Sequence, residues 1–166
     1  MMSRSPREYP DHPLIGVGAV VLNQAGQVLL IRRGREPRAG EWSLPGGLVR
    51  LGERLAEAVA REVLEECHVK VNVRELLGTF ELIERDASGR PRFHYVVLDY
   101  LAEACSDDIQ PDTDAAEARW VDESDLAGYH LRRETRDMIA RALRRHRAAG
   151  SSSTSVLGDG LVIDHR

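Results

Sequence analysis

Apolar and polar positions alternate in short runs over most of the chain, and switch to a helical period in two places. Leu14–Leu22 is a nearly unbroken small and β-branched run, which predicts a central strand. Asn23-Gln24-Ala25-Gly26 reads as a turn and Gln27–Arg33 as the returning strand, so the two runs predict a hairpin. Val69–Val73 and Leu76–Leu82 predict two further strands, followed by a turn at Asp86-Ala87-Ser88-Gly89. Phe93–Ala102, FHYVVLDYLA, is the strongest strand pattern. An acidic loop over Cys105–Asp114 leads to a last strand at Ala116–Val121 and a short helical turn from Glu123.

The first helical stretch is Leu55–Cys67. At about 100° per residue, Leu55, Ala56, Val59, Val63 and Cys67 form one apolar stripe. Glu62 and Glu66 share a face that lies beside that stripe, within roughly 40° of Leu55 and Val59. Two carboxylates at the edge of a core repel each other and lose hydration unless they are paired or bind a cation. A hard divalent cation is one answer, with Mg²⁺ the default; a charged face of Arg/Glu pairs is the other. The wheel turns Arg61 away from Glu62 and leaves both readings open. The second helical stretch is Arg132–Ala148, with Met138, Ile139, Ala142 and Leu143 inward and Arg141, Arg144, Arg145 and Arg147 as a solvated face.

The stretch before the first helix adds a spacing. Gly47, six positions on Glu53, eight further Arg61-Glu62-Val63, then Glu65-Glu66 and Val69, resembles the Nudix box, G-x5-E-x7-R-E-U-x-E-E-x-G-U with U aliphatic. One position departs from it: His68 stands where the family has its last glycine. That glycine suits a left-handed residue at a helix C-terminus, which histidine adopts at a cost of roughly 1 kcal/mol. Leu44-Pro45-Gly46-Gly47 before the box and Glu117-x-x-Trp120-Val121 after it are also family habits.

The resemblance implies an α/β/α sandwich, with a mixed, curved sheet between the box helix and the C-terminal helix. It implies Mg²⁺-dependent hydrolysis of a nucleoside diphosphate linked to another moiety, Mn²⁺ being an alternative cation. It assigns the cation to Glu62, Glu66, Glu65 and the Gly46 carbonyl, and makes Glu53 and Arg61 their supports. Glu62, Glu65 and Glu117 are candidates for the general base, with Asp114 the rival of Glu117. Arg32 and Arg33, ending a strand near the box, are candidates for substrate phosphate. Phe93 and Tyr95 share a strand face and either stack on a base or pack beneath a helix; Trp42 has the same two readings. The loop from Arg33 to Gly47 together with Phe93-His94-Tyr95 looks like bacterial ADP-ribose pyrophosphatases, which makes ADP-ribose the leading substrate. Removal of pyrophosphate from nucleoside triphosphates, oxidised ones included, is the alternative. A nucleotide-sensing domain without catalysis is a third reading, but the box carboxylates are intact.

Bulk numbers limit the partners. The 166 residues suffice for one domain with a core. A net charge of −4 gives no footprint for long nucleic acid, and no apolar run is long enough to span a membrane. All but one of the 23 basic residues are Arg, the exception being Lys70. This bias reads first as the mark of a GC-rich genome, and it also suits bidentate phosphate contacts. Cys67 and Cys105 have no metal spacing, and Cys67 falls on the apolar side of its helix as a buried thiol. The sequence thus predicts a loose lead-in at 1–12, one domain at 13–149 and a flexible Ser/Gly-rich tail at 150–166. A cytoplasmic location, a small nucleotide as partner and a homodimer of the family's kind complete the expectations.

Overall fold

The computed structural model describes residues 7–36, 38–112 and 115–153. The strands are β1 (Leu14–Leu22), β2 (Val28–Arg33), β3 (Trp42–Ser43), β4 (Gly46–Leu48), β5 (Val71–Arg85), β6 (Pro91–Ala104) and β7 (Ala115–Val121). Helix α1 spans Leu55–Cys67, a 3-10 helix spans Glu123–Tyr129, and α2 spans Arg133–Ser153. All seven strands join one mixed sheet in the order β3-β2-β1-β6-β5, with β4 added to β1 and β7 to β2.

β1 is buried along seven of its nine residues because it is covered on both faces. It runs parallel to β6 over the full strand and antiparallel to β4 through Gly16–Gly18. The expected hairpin is therefore corrected. The turn after β1 exists, tied by the Asn23 side chain to the Gln27 amide, but β1 and β2 pair only at Leu22 and Val28. β2 then takes β7 and β3 as its partners. Likewise, the two strands expected after α1 are one strand, β5, which bulges between Val73 and Glu75 and between Leu76 and Gly78 instead of breaking.

The sheet separates two cores. On one face Val59, Val63 and Cys67 of α1 pack on Val17, Ala19, Val21, Leu29 and Ile31. On the other, Met138, Ile139, Ala142 and Leu143 of α2 pack on Val20, Leu22, Val28 and Leu30. Each Val, Leu, Ile or Met among these contributes about 1.5–3 kcal/mol on burial. Within the stripe of α1, Ala58 is buried and Ala56 is exposed, the reverse of the expectation for Ala56. The arginines of α2 do more than face solvent: Arg141 donates to the Leu77 carbonyl and Arg145 to Glu75, tying the helix to β5. Helix α2 also runs past Ala148 to Ser153, through the first residues expected as linker. The remainder of that tail, like Asp114, lies outside the described residues.

Candidate active site

β4 lays the glycine pair across the start of the box and onto the side chains of α1. A Cβ on Gly47 would sit 2.5 Å from both carboxylate oxygens of Glu62. Only glycine lets the backbone approach this carboxylate. The Gly46 amide donates to Glu66 Oε2 at 2.9 Å. Glu66 is 5% exposed, so the wheel was right to place it at the core's edge.

Arg61 is the hub of the acidic cluster. Its Nε and Nη2 grip Glu53 at 2.6 and 2.9 Å, Nη1 donates to Glu62 at 2.6 Å and to Glu65 at 3.1 Å, and Nη2 also reaches the Leu48 carbonyl. The wheel's placement of Arg61 away from Glu62 is thus corrected. The wheel reports the direction of Cβ, whereas a long guanidinium stem bends back to its neighbour. Hydrogen bonds from Arg61 and from the Arg50 amide hold the Glu53 carboxyl down at about 2. Glu53 in turn raises Arg61 above its usual range. Arg50 takes the other oxygen of Glu65.

At the far end of α1, His68 adopts φ 57° and donates its amide to Leu64, the left-handed stop expected for the position of the family's glycine. Its imidazole is 2.9 Å from Asp112. Cys67 is a buried free thiol, and burial pushes it up to about 12.

A cleft of about 160 Å³ opens beside this cluster. Glu62, Glu66, Gly46 and Gly47 line one side, and Arg7, Arg33, Arg35 and Arg132 are also among its lining residues. Trp42 lines it too, braced edge-on by Tyr129 at 5.0 Å and capped by the Arg119 guanidinium at 5.3 Å. Of the residues singled out from sequence, Gly46, Glu62, Glu66, Arg33 and Tyr95 meet at the cleft, and Glu53, Arg61 and Glu65 form the ion cluster beside it. Arg32 and Glu117 do not reach it. Neighbours on a strand point to opposite sides, so Arg32 turns away from the cleft that Arg33 lines and pairs with Glu117 at 3.0 Å. Arg32 and then Arg119 hold the Glu117 carboxyl below its usual range. Phe93 is buried and stacks on Tyr95 at 6.3 Å, so Tyr95 alone of the pair lines the cleft.

Sequence reasoning passed over Asp99. It is 2% exposed, lines the cleft, and burial pushes its carboxyl up to about 7. The available signal was an acidic residue inside Phe93–Ala102, the strongest strand pattern of the chain.

The donor set suits a hard cation in its chemistry: carboxylate oxygens beside a turn that brings main-chain carbonyls close. Among the described residues no three Asp, Glu, His or Cys side chains converge at ligand distance; Arg61 holds both Glu62 and Glu65, and Arg50 also holds Glu65. Glu62 and Glu66 remain as a pair. A pair of carboxylates beside main-chain carbonyls suits a divalent cation that keeps several of its waters.

The NUDIX domain family model matches residues 12–142. A protein of Methanocaldococcus jannaschii named ADP-ribose pyrophosphatase is 33% identical over 115 residues, which are 69% of this chain and 65% of that protein's length, just under two thirds. The NUDIX domain of Shewanella oneidensis NrtR, solved in complex with ADP ribose, superposes with a TM-score of 0.66 at 27% identity, covering 82% of this chain and 90% of that one. The MutT NUDIX hydrolase of Burkholderia pseudomallei gives 0.67 at 33% identity, covering 79% and 98%. A family match over most of the chain, on a fold whose glycine turn and acidic helix meet as the box requires, places this chain in the Nudix hydrolase family.

Proposed function

We propose that this chain hydrolyses the diphosphate bridge of a nucleoside diphosphate linked to a second moiety, with ADP-ribose as the leading substrate and Mg²⁺ or Mn²⁺ as cofactor. The observation that carries the reading is the meeting of Glu62 and Glu66 with Gly46-Gly47 in a cleft also lined by arginines. Groups suited to a cation and groups suited to phosphate thus share one cleft. When bound, the cation neutralises phosphate oxygens and lowers the pKa of a bound water. Glu62 and Glu66 would hold it with the Gly46 carbonyl; Glu65, the further ligand expected from sequence, would have to leave Arg50 and Arg61 to join them. Arg61, clamped by Glu53, fixes the direction of Glu62. Arg33 would orient the diphosphate. Glu62 and Glu65, which share Arg61, are the stronger candidates for the base. Glu117, held by Arg32 and Arg119 away from the cleft, is the weaker.

The name of the archaeal relative and the ADP-ribose complex of the Shewanella domain support this substrate. The test is chromatography of products from a nucleotide panel with Mg²⁺. AMP and ribose 5-phosphate should appear from ADP-ribose, and nothing should appear in excess EDTA. Release of pyrophosphate from a nucleoside triphosphate at higher kcat/KM would replace ADP-ribose with the triphosphate. It would leave the cation chemistry untouched.

A further inference from the structure

Among the described residues, three buried side-chain atoms have no hydrogen-bond partner: His94 Nε2, Tyr95 Oη and Asp99 Oδ2. Tyr95 and Asp99 both line the cleft, and neither takes part in the cation or phosphate chemistry above. Tyr95, Val97 and Asp99 are alternate residues of β6 and present one face. Register sets Leu82 and Phe80 of β5 against Tyr95 and Val97, and Gly16 and Gly18 of β1 against Val97 and Asp99. All seven residues line the cleft. The result is an apolar floor of Phe80, Leu82 and Val97 with a carboxyl at one end and a phenol at the other. The floor depends on Gly18, since a Cβ there would overlap the Asp99 carboxylate.

A buried carboxyl without a partner lowers stability, and an apolar side chain of the same shape would serve the core better. Asp99 therefore suits a partner that arrives with the ligand. That partner is not phosphate when Asp99 is ionised, since a carboxylate repels it. It must donate a hydrogen bond, and its flat apolar faces must cover Phe80, Leu82 and Val97. The Asp99 main chain stands two strands from that of Gly46, across Gly18, or about 10 Å, and its carboxyl leans over Gly18. Tyr95, four residues or about 13 Å along the strand, is too distant to share the same ring edge.

We propose that Asp99 binds the amino-bearing heteroaromatic base of the substrate, accepting a hydrogen bond from the exocyclic amine. This assignment rests on the nucleotide reading above and adds the chemical class of the base. A sugar hydroxyl could donate to the same oxygen, so the test separates base from sugar.

The full-length chain is titrated by calorimetry with AMP and with ribose 5-phosphate, as wild type, Asp99→Leu and Asp99→Asn. Asp99→Leu should weaken AMP about 10-fold and leave ribose 5-phosphate within about two-fold. Asp99→Asn, which keeps an acceptor oxygen, should restore AMP binding. Unchanged AMP affinity in Asp99→Leu overturns the proposal. So does an equal loss for both ligands, which assigns the contact to the sugar. Should the leucine variant not fold, the wild type still decides. Inosine monophosphate, with a carbonyl in place of the amine, should bind about 10-fold more weakly than AMP, and equal affinity overturns the proposal. ADP-ribose turnover with AMP affinity indifferent to Asp99 removes this inference alone. AMP binding through Asp99 without hydrolysis of any diphosphate removes the proposed reaction alone.

Discussion

Gly47→Ala should separate catalysis from folding. The added Cβ would lie 2.5 Å from both oxygens of Glu62, and ordinary contact begins near 3.4 Å, so the carboxylate must retreat by about 0.9 Å. The backbone at Gly47 is not left-handed, so alanine adopts it without strain. The atoms in the way are the end of a flexible side chain, and the fold should therefore survive with nearly its original melting temperature. The site should not. Glu62 is held by Arg61 at 2.6 Å, and displacing such a group by about 1 Å costs on the order of 100-fold in kcat. The assay is kcat with Mg²⁺ on the best substrate of the panel, with thermal unfolding as the control. The sharper test adds Glu62→Asp, which shortens the side chain by one bond, about 1.5 Å. If steric displacement is the cause, the double variant should lose less than the product of the two single losses, by about 10-fold. Kinetics within two-fold of wild type for Gly47→Ala, or strictly multiplicative losses, would refute the reasoning. Gly46→Ala is the contrast. Its Cβ would meet the Val17 carbonyl and lie 2.8 Å from the Gly18 Cα, backbone that cannot yield, so melting temperature should fall together with activity.

Glu62→Gln and Glu66→Gln should each lower kcat by orders of magnitude while circular dichroism stays native; near-wild-type rates in both would move the cation elsewhere. Arg61→Met should lower the melting temperature at pH 7 and much less near pH 2. The stabilisation tied to Glu53's lowered pKa is present above its unfolded value and is lost as pH falls toward about 2; an equal loss at both pH values would count against the Glu53 pairing. Asp99 acts in the opposite sense. Its folded pKa of about 7 exceeds the usual 3.8, so the folded state holds the extra proton in between and stability should decline as pH rises through that window. Asp99→Asn should flatten this part of the denaturation profile, and an unchanged slope would deny the burial effect.

The two helices were legible because each has a period that only one structure satisfies, and β1 because its apolar run is short and β-branched. Met138, Ile139, Ala142 and Leu143 all reach the α2 core, and Glu66 lies where the wheel put it. The pairing of β1 was not legible. Its apolar run fits a hairpin as well as a central strand, and what decides between them is β6, about 80 residues downstream. The reach of Arg61 was invisible for a different reason, since periodicity describes Cβ directions and not the ends of long side chains. Arg32 and Arg33 could not be told apart until the cleft's side of β2 was known. Asp99 was hidden by its company: a strand read for its hydrophobicity draws no notice to one carboxyl.

The parallel ladder of β1 and β6 has a consequence for synthesis of the chain. Each of its pairs joins residues 81 positions apart, so the strand that carries Gly16 and Gly18 waits for a partner made much later. By residue 69 a ribosome has delivered the whole acidic motif and the strand beneath its glycines. Asp99, on β6, and Thr135, on α2, also line the cleft and come later still. A chain interrupted between these points would carry the whole glycine-to-valine box, and no completed place for a nucleotide to lie.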